Sequence, residues 1–148
     1  MAIWPALALA VLAGAMLPIQ ARINAELARG IGGPTRAAFV SFLVGTLALA
    51  VVALAATRGL PSAERLASVP WWAWIGGFLG AFYVFGAIVS APRLGAVLLV
   101  AAVVAGQAAA SLVVDHFGWV GFAEHPISAG RIAGVVLVAA GVLLVRAF

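Results

Sequence analysis

The 148-residue sequence contains no cysteine and no lysine, and charged residues make up only 8% of it. Without cysteine the chain has no disulfide, no thiol nucleophile and no thiolate ligand for a metal. A soluble domain typically has about a quarter charged residues, so this chain cannot cover a globular surface that faces water. With 66% hydrophobic residues and a mean hydropathy of +1.24, the composition indicates an integral membrane protein.

The basic residues argue against a nucleic-acid partner. All eight are arginines, and they stand singly at the ends of apolar runs, as helix-flanking anchors do, rather than in a patch that would bind phosphates. We therefore expect the lipid bilayer as the surroundings of the chain, and the sequence predicts neither a nucleic acid nor a cofactor.

Five apolar segments are long enough to cross a bilayer as helices, which takes about 20 residues each. They cover residues 3–29, 34–57, 71–91, 94–114 and 129–147. Pro34 suits a first helical turn, Ser128 can cap the last helix, and residues 92–95 predict a tight turn between the third and fourth spans. Residues 13–15 resemble a signal-peptidase site, but the polar helix that follows predicts retention. The expected fold class is an all-α integral membrane protein, a single domain of five transmembrane helices.

The arginines favour one orientation only slightly. Five lie on the face with the first loop, the turn between spans three and four and the C-terminus, and three lie on the opposite face. The larger set is Arg22, Arg29, Arg36, Arg93 and Arg146, and the smaller set is Arg58, Arg65 and Arg131. By the positive-inside rule we expect the N-terminus outside and the C-terminus inside the cell, with insertion in both orientations left open.

Small residues recur every four positions on spans two to five. The series are Ala37-Ser41-Gly45, Gly76-Gly80, Ala102-Gly106-Ala110 and Gly130-Gly134. Because small side chains let helix backbones approach in a membrane, the series predict close helix contacts.

The first helix continues beyond its apolar part with polar side chains on two faces. Gln20 and Asn24 lie one turn apart, where they can contact a substrate or hydrogen-bond to a neighbouring helix. Arg22 and Glu26 can form an ion pair that either solvates the helix end or takes part in coupling or gating. Pro18 removes a helical hydrogen bond just before them, so we expect a kink there.

A polar stripe runs down the fourth span. Gln107, Ser111 and Asp115 recur every four residues and share one helix face. A polar side chain facing lipid is costly, so the stripe is expected to face protein or a water-filled cavity. Gln107 and Ser111 are predicted to bind the substrate, with a structural hydrogen bond as the alternative for Gln107. Asp115 and His116 either cap the helix or gate the pathway, and Arg131 is the expected partner of Asp115, because the helix dipole disfavours a carboxylate there.

Three further possibilities concern single residues. Tyr83, the only tyrosine, falls near the middle of the third span, where its hydroxyl needs a partner, so it is a candidate for the same cavity. Glu124 and His125, with Asp115 and His116, are metal-ligand types, but their spacing matches no known site and we expect no metal. The chain offers no buried nucleophile with a base on the same face, so we expect no enzyme.

Four segments of the sequence together resemble a known family. They are Pro18-Ile-Gln20-x-x-x-Asn24, Trp72-x-Trp74-Ile-Gly-Gly77-x-x-Gly80-Ala, Pro92-Arg93-Leu94-Gly95-Ala and Gly106-Gln107…Asp115-His116-Phe117-Gly118…Arg131-x-x-Gly134. They are similar to the YdcZ-like family, short five-span members of the drug/metabolite transporter superfamily (the EamA-like group), from about residue 14 to the C-terminus. The resemblance implies a half-size transporter, because ten-span relatives contain two such units in inverted orientation.

A single unit of this kind needs a partner. Inverted repeats place the substrate site at their interface near the midplane of the bilayer. We therefore expect this chain to pair with a second copy of itself, or with a sister five-span chain, in the opposite orientation. The pair would move a small molecule by alternating access through a cavity lined by spans one, three and four. The rival hypothesis is a non-transporting assembly or scaffold subunit, which has no need for a kinked helix beside a polar stripe.

Overall fold

A computed structural model describes residues 3–57 and 61–148 of the chain. The described residues are almost entirely helical and include no strand. Arg58, one of the three arginines on the less basic face, lies outside them.

Five α-helices make up the described chain. They are α1 (Ile3–Ile31), α2 (Pro34–Thr57), α3 (Ala63–Ala67), α4 (Ile75–Phe117) and α5 (Ala129–Ala147). Short 3-10 helical segments precede and follow α4, at Trp71–Trp74 and Trp119–Gly121. By length and composition α1, α2, α4 and α5 can each cross a membrane, whereas α3 is one short turn-and-a-half between α2 and α4. Pro34 begins α2, and the Ser128 hydroxyl caps α5 by accepting from the Arg131 N–H, both as predicted.

The helix α4 supplies two of the predicted spans. Its 43 residues would measure about 65 Å at 1.5 Å per residue, about twice the hydrocarbon thickness of a bilayer. The backbone leaves the helical conformation at Gly95, with φ 71° and ψ 173°, a region open essentially to glycine alone. This break falls in the predicted turn and separates a first half (residues 75–94) from a second half (residues 96–117). The all-α membrane fold is therefore confirmed, with four helices long and apolar enough to cross a membrane, one of which breaks at Gly95 into two segments of about one span each.

The chain divides into two compact units, and each division lies beside a proline. One unit is Ile19–Arg93, and the other combines Met1–Pro18 with Leu94–Phe148. The boundaries therefore cross α1 directly after Pro18 and cross α4 between Pro92 and Gly95. The helix α1 remains helical through Pro18, so the predicted kink does not interrupt it.

The core of the unit Ile19–Arg93 is small and made of small side chains. Its buried residues are Ala37, Ala38, Val84 and Ile88, and those partly buried against them are Leu27, Ala28, Ile31 and Tyr83. These positions come from the end of α1, the start of α2 and the first half of α4, which therefore pack together.

Members of two predicted small-residue series lie at this helix contact. Ala37 of α2 is fully buried, and a Cβ added to Gly80 would lie 3.6 Å from the ring of Phe42. Close packing is thus confirmed for α2 and the first half of α4. At five other glycines of the series an added Cβ would meet no atom within 4 Å; these are Gly45, Gly76, Gly106, Gly130 and Gly134. The chain leaves these positions open to a neighbour.

Large hydrophobic side chains cover the outside of all four long helices. Leu9, Leu49, Phe82 and Leu137 are each more than 60% exposed, and no large side chain among the described residues is fully buried. Such a surface is unstable in water, and in a membrane it is covered by lipid or by another protein.

Candidate functional site

The end of α4 and the start of α5 are joined by an ion pair. The carboxylate of Asp115 accepts a hydrogen bond from the guanidinium of Arg131, which confirms the predicted partner. The two side chains are only 27% and 33% exposed, so the pair is largely shielded from solvent. Arg131 thereby compensates a negative charge placed at the unfavourable end of a helix dipole.

The segment after α4, residues 118–128, folds back onto the helix end. The His125 N–H donates to the Asp115 carbonyl at 2.7 Å, so one of the otherwise unpaired carbonyls of the last turn has a partner. Arg131 also donates to the His125 carbonyl at 2.6 Å. The Ile127 N–H donates to Nδ1 of His116 at 3.3 Å. Three contacts therefore attach this segment to α4 and α5, and we call them the loop attachments.

A left-handed turn at Gly118 directs residues 118–128 back toward the end of α4. Gly118 has φ 60°, and an added Cβ would lie 3.3 Å from the Phe122 carbonyl oxygen, so both conformation and space favour glycine. Val120 also has a positive φ, 55°, a strained conformation for a β-branched residue. Phe117 stacks on Trp119 with ring centroids 5.1 Å apart, and both rings are exposed, as expected for aromatic residues at a membrane interface.

The rest of the polar stripe has no partner within the chain. The side chains of Gln107 and Ser111 are exposed, and neither forms a hydrogen bond with any residue that the structure describes. Gln107 lies midway along the second half of α4. A carboxamide and a hydroxyl are therefore exposed on a span whose other residues are apolar until Asp115 and His116 at its end.

The predicted polar residues of α1 fall into different environments. Asn24 is 5% exposed, with Ala21 and Ala25 buried beside it, whereas Gln20 is exposed. Within residues 3–57 and 61–148 the Asn24 side chain forms no hydrogen bond. The two residues are one turn apart, yet only Asn24 is buried.

The charged residues of α1 form an exposed cluster. Glu26 lies 3.7 Å from Arg22, which confirms the predicted ion pair, and Arg29 also binds the Glu26 carboxylate. The three side chains are between 61% and 66% exposed. The contact with Arg29 was not predicted, although its spacing of three residues along a helix permits it.

Tyr83 lies at the edge of the core of the unit Ile19–Arg93. It is partly buried against Ala37 and its neighbours, and its hydroxyl has no hydrogen-bond partner in the described chain. The side chain therefore has both a packing role and a free polar group.

Two grooves that the sequence did not predict are almost purely apolar. One has a volume of about 550 Å³ and lies in the unit with the second half of α4 and α5, where Pro18, Val104 and Val142 contribute to its lining. The other, also about 550 Å³, lies in the unit Ile19–Arg93 and is lined mainly by phenylalanines, Phe39, Phe42, Phe78, Phe82 and Phe85. None of the predicted substrate-binding residues lines either groove, and the polar cavity stays a prediction.

Comparison with known proteins gives two matches. Residues 5–144 match the family described as "Putative inner membrane exporter, YdcZ". The inner membrane protein YdcZ of Escherichia coli (strain K12) is 37% identical over 82 residues, which are 55% of this chain and 54% of that relative. The matched region thus spans about half of the relative's length. No solved structure matches the chain.

Proposed function

The chain belongs to the YdcZ family of integral inner-membrane proteins, and from this premise we propose that it transports a small molecule as one half of an antiparallel dimer. The family is described as one of exporters, which supports movement out of the cytoplasm. Substrate crosses by alternating access through a polar cavity between two inverted units. In this proposal the cavity presents five polar residues, Gln20, Asn24, Tyr83, Gln107 and Ser111.

The exposure of Gln107 and Ser111 carries this proposal. Lipid offers no hydrogen bonds, and each unsatisfied polar group in hydrocarbon costs several kcal/mol. The described chain supplies no partner for either side chain. Their partner is therefore water, a substrate or a second protein surface, and a substrate path beside a second subunit provides all three.

The small residues of α4 support a second copy of the chain as the partner. Gly106 lies midway along the second half of α4, with Ala102 and Ala110 one turn to either side, and all three are exposed. If two copies cross antiparallel at Gly106, Ala102 of one faces Ala110 of the other. This arrangement places small residues at every close approach, as helix packing in membranes favours. The near balance of arginines on the two faces fits insertion in both orientations.

Asn24 supports a second polar contact in the pathway. The Asn24 carboxamide forms no hydrogen bond with the described residues. No side-chain nitrogen or oxygen among these residues is both buried and without a partner, so the polar end of Asn24 stays accessible although the residue is only 5% exposed. A bound substrate or water would supply the missing partner. Four charged or titratable residues lie nearer the helix ends, and we assign them to coupling or gating; they are Arg22, Glu26, Asp115 and His116.

The absence of cysteine allows a direct test of the pathway. A Gln107→Cys variant in sealed membrane vesicles is treated with a membrane-impermeant maleimide, added to one side and then, in separate vesicles, to the other. We expect labelling from both sides, because alternating access opens the cavity to each side in turn. The matched control is Val113→Cys, which is exposed on the same helix but two residues beyond Ser111 and so on the opposite face.

Each result of this labelling favours one function. Reaction at position 107 with protection at position 113 supports a water-filled path. Protection of both positions from both sides would mean that Gln107 is covered by protein or lipid, and would favour the scaffold subunit, in which Gln107 only joins helices.

A further inference from the structure

Nδ1 donates a hydrogen bond in His125 and accepts one in His116, the two histidines near the end of α4. Nδ1 of His125 lies 2.9 Å from the Ala123 carbonyl oxygen, and because a carbonyl oxygen can only accept, this nitrogen carries a proton and donates. Nδ1 of His116 lies 3.3 Å from the Ile127 N–H, and because a backbone N–H can only donate, this nitrogen is unprotonated and accepts. Neutral His116 therefore has its proton on Nε2.

Protonation has different consequences for these two contacts. A protonated imidazole carries hydrogen on both nitrogens, so His116 can no longer accept from Ile127 and the two N–H groups oppose each other. His125 keeps its hydrogen bond to Ala123, since the donor is already present. Histidine ordinarily changes its charge between about pH 5 and 8.

We propose that His116 is a pH-sensitive latch that holds residues 118–128 against the end of α4. When His116 is neutral, the Ile127 contact is one of the three loop attachments. When His116 is protonated, this contact is lost. Its effect on transport rests on the function proposed above, whereas the latch itself does not.

Charged and titratable groups lie close to His116 along the chain. Asp115 on α4 and Arg131 on α5 form the adjacent ion pair, and Glu124 and His125 lie in the segment itself. Arg131 also donates to the His125 carbonyl, and neither contact of Arg131 uses the His116 ring. The latch is therefore the Ile127 contact, which is closed while His116 is neutral and opens when His116 is protonated.

A spin label on the segment measures this opening without any transport assay. The only cysteine of an Ala123→Cys variant carries a nitroxide, and its mobility in purified protein in micelles is recorded between pH 8 and pH 5. We expect the ratio of mobile to immobile label to rise by about threefold to tenfold between pH 8 and pH 5. This is the change in an equilibrium constant that the loss of one hydrogen bond produces.

Three variants assign the pH response to one residue. His116→Asn places a carboxamide oxygen near the position of Nδ1 without a titrating group, so the label should stay immobile at every pH. His116→Leu removes the acceptor, so the label should be mobile at every pH. His125→Gln should leave the pH response in place.

Two results would overturn the latch. One is a pH response that persists in His116→Asn, and the other is a response that only His125→Gln abolishes. A chain that shows the latch but fails the labelling test at position 107 would refute the transport proposal alone.

Discussion

Replacing Asp115 or Arg131 should reveal how strongly their ion pair holds the end of α4 to the start of α5. We expect Asp115→Ala to lower the free energy of unfolding by about 1–2 kcal/mol. Arg131→Ala should lower it further, because Arg131 also donates to the His125 carbonyl. Because the two side chains contact each other, the effects of the two substitutions should not add, and the difference is their coupling energy.

The expected magnitude follows from the partial burial of the pair. Fully exposed ion pairs contribute about 0–1 kcal/mol, whereas removing one partner of a buried pair costs about 3–5 kcal/mol. With side chains 27% and 33% exposed, this pair lies between those limits. Removing Asp115 also removes an unfavourable charge from the end of a helix, which returns about 0.3–1 kcal/mol. This return lowers the cost of Asp115→Ala to about 1–2 kcal/mol. It cancels in a double-mutant cycle, because it appears in the single and in the double variant, so we expect a coupling energy of about 1 kcal/mol or more from the ion pair itself.

A double-mutant cycle measures this coupling energy. The parent, both single variants and the double variant are unfolded in mixed micelles with increasing dodecyl sulfate, and tryptophan fluorescence reports the transition. The exposed pair of Arg22 and Glu26 serves as the control, because its side chains are more than 60% exposed and its coupling should be close to zero. A coupling below about 0.3 kcal/mol for Asp115 and Arg131, the usual error of additivity, would refute the reasoning from burial.

Three further predictions concern other parts of the chain. Gly95→Ala should destabilise the protein by about 1–3 kcal/mol because only glycine readily adopts φ 71° with ψ 173°. The control Gly86→Ala, with open space in a regular part of α4, should not destabilise it. Equal effects of the two substitutions in the same unfolding assay would contradict the strained conformation at Gly95. Glu26→Gln should change the free energy of unfolding by less than about 0.5 kcal/mol because its ion pairs are exposed, and a larger loss on denaturation would mean that another subunit covers them. A Gln20→Cys variant should react with a water-soluble thiol reagent, and its complete protection from both sides would assign Gln20 to helix packing.

Local chemistry made several features predictable from the sequence. Pro34 lacks the N–H that a first helical turn leaves unpaired, and the Ser128 hydroxyl can satisfy such a group, so both mark helix starts. The break at Gly95 follows from Pro92 and the glycine itself. The partner of Asp115 was predictable because a carboxylate at a helix C-terminus needs a positive charge, and Arg131 is the first arginine after it.

Features that depend on tertiary contacts were not predictable in the same way. Gln20 and Asn24 have the same helical spacing as any pair one turn apart, and only tertiary packing decides that Asn24 is buried and Gln20 exposed. The contact between His116 and Ile127 requires the left-handed turn before it. In that turn Gly118 indicates a left-handed conformation from the sequence. The positive φ of Val120 could not be predicted, because β-branched residues rarely adopt it.

Crosslinking between copies of the chain tests the antiparallel dimer most directly. Cells express single-cysteine variants at positions of α4, and an oxidant or a short bifunctional reagent joins neighbouring thiols. Gly106→Cys should crosslink to itself, and Ala102→Cys should crosslink to Ala110→Cys when the two are expressed together but not to its own copy. A C-terminal reporter should then be found on both sides of the membrane. Self-crosslinking at Ala102→Cys, no product from the mixed pair and a reporter on one side only would contradict the antiparallel dimer.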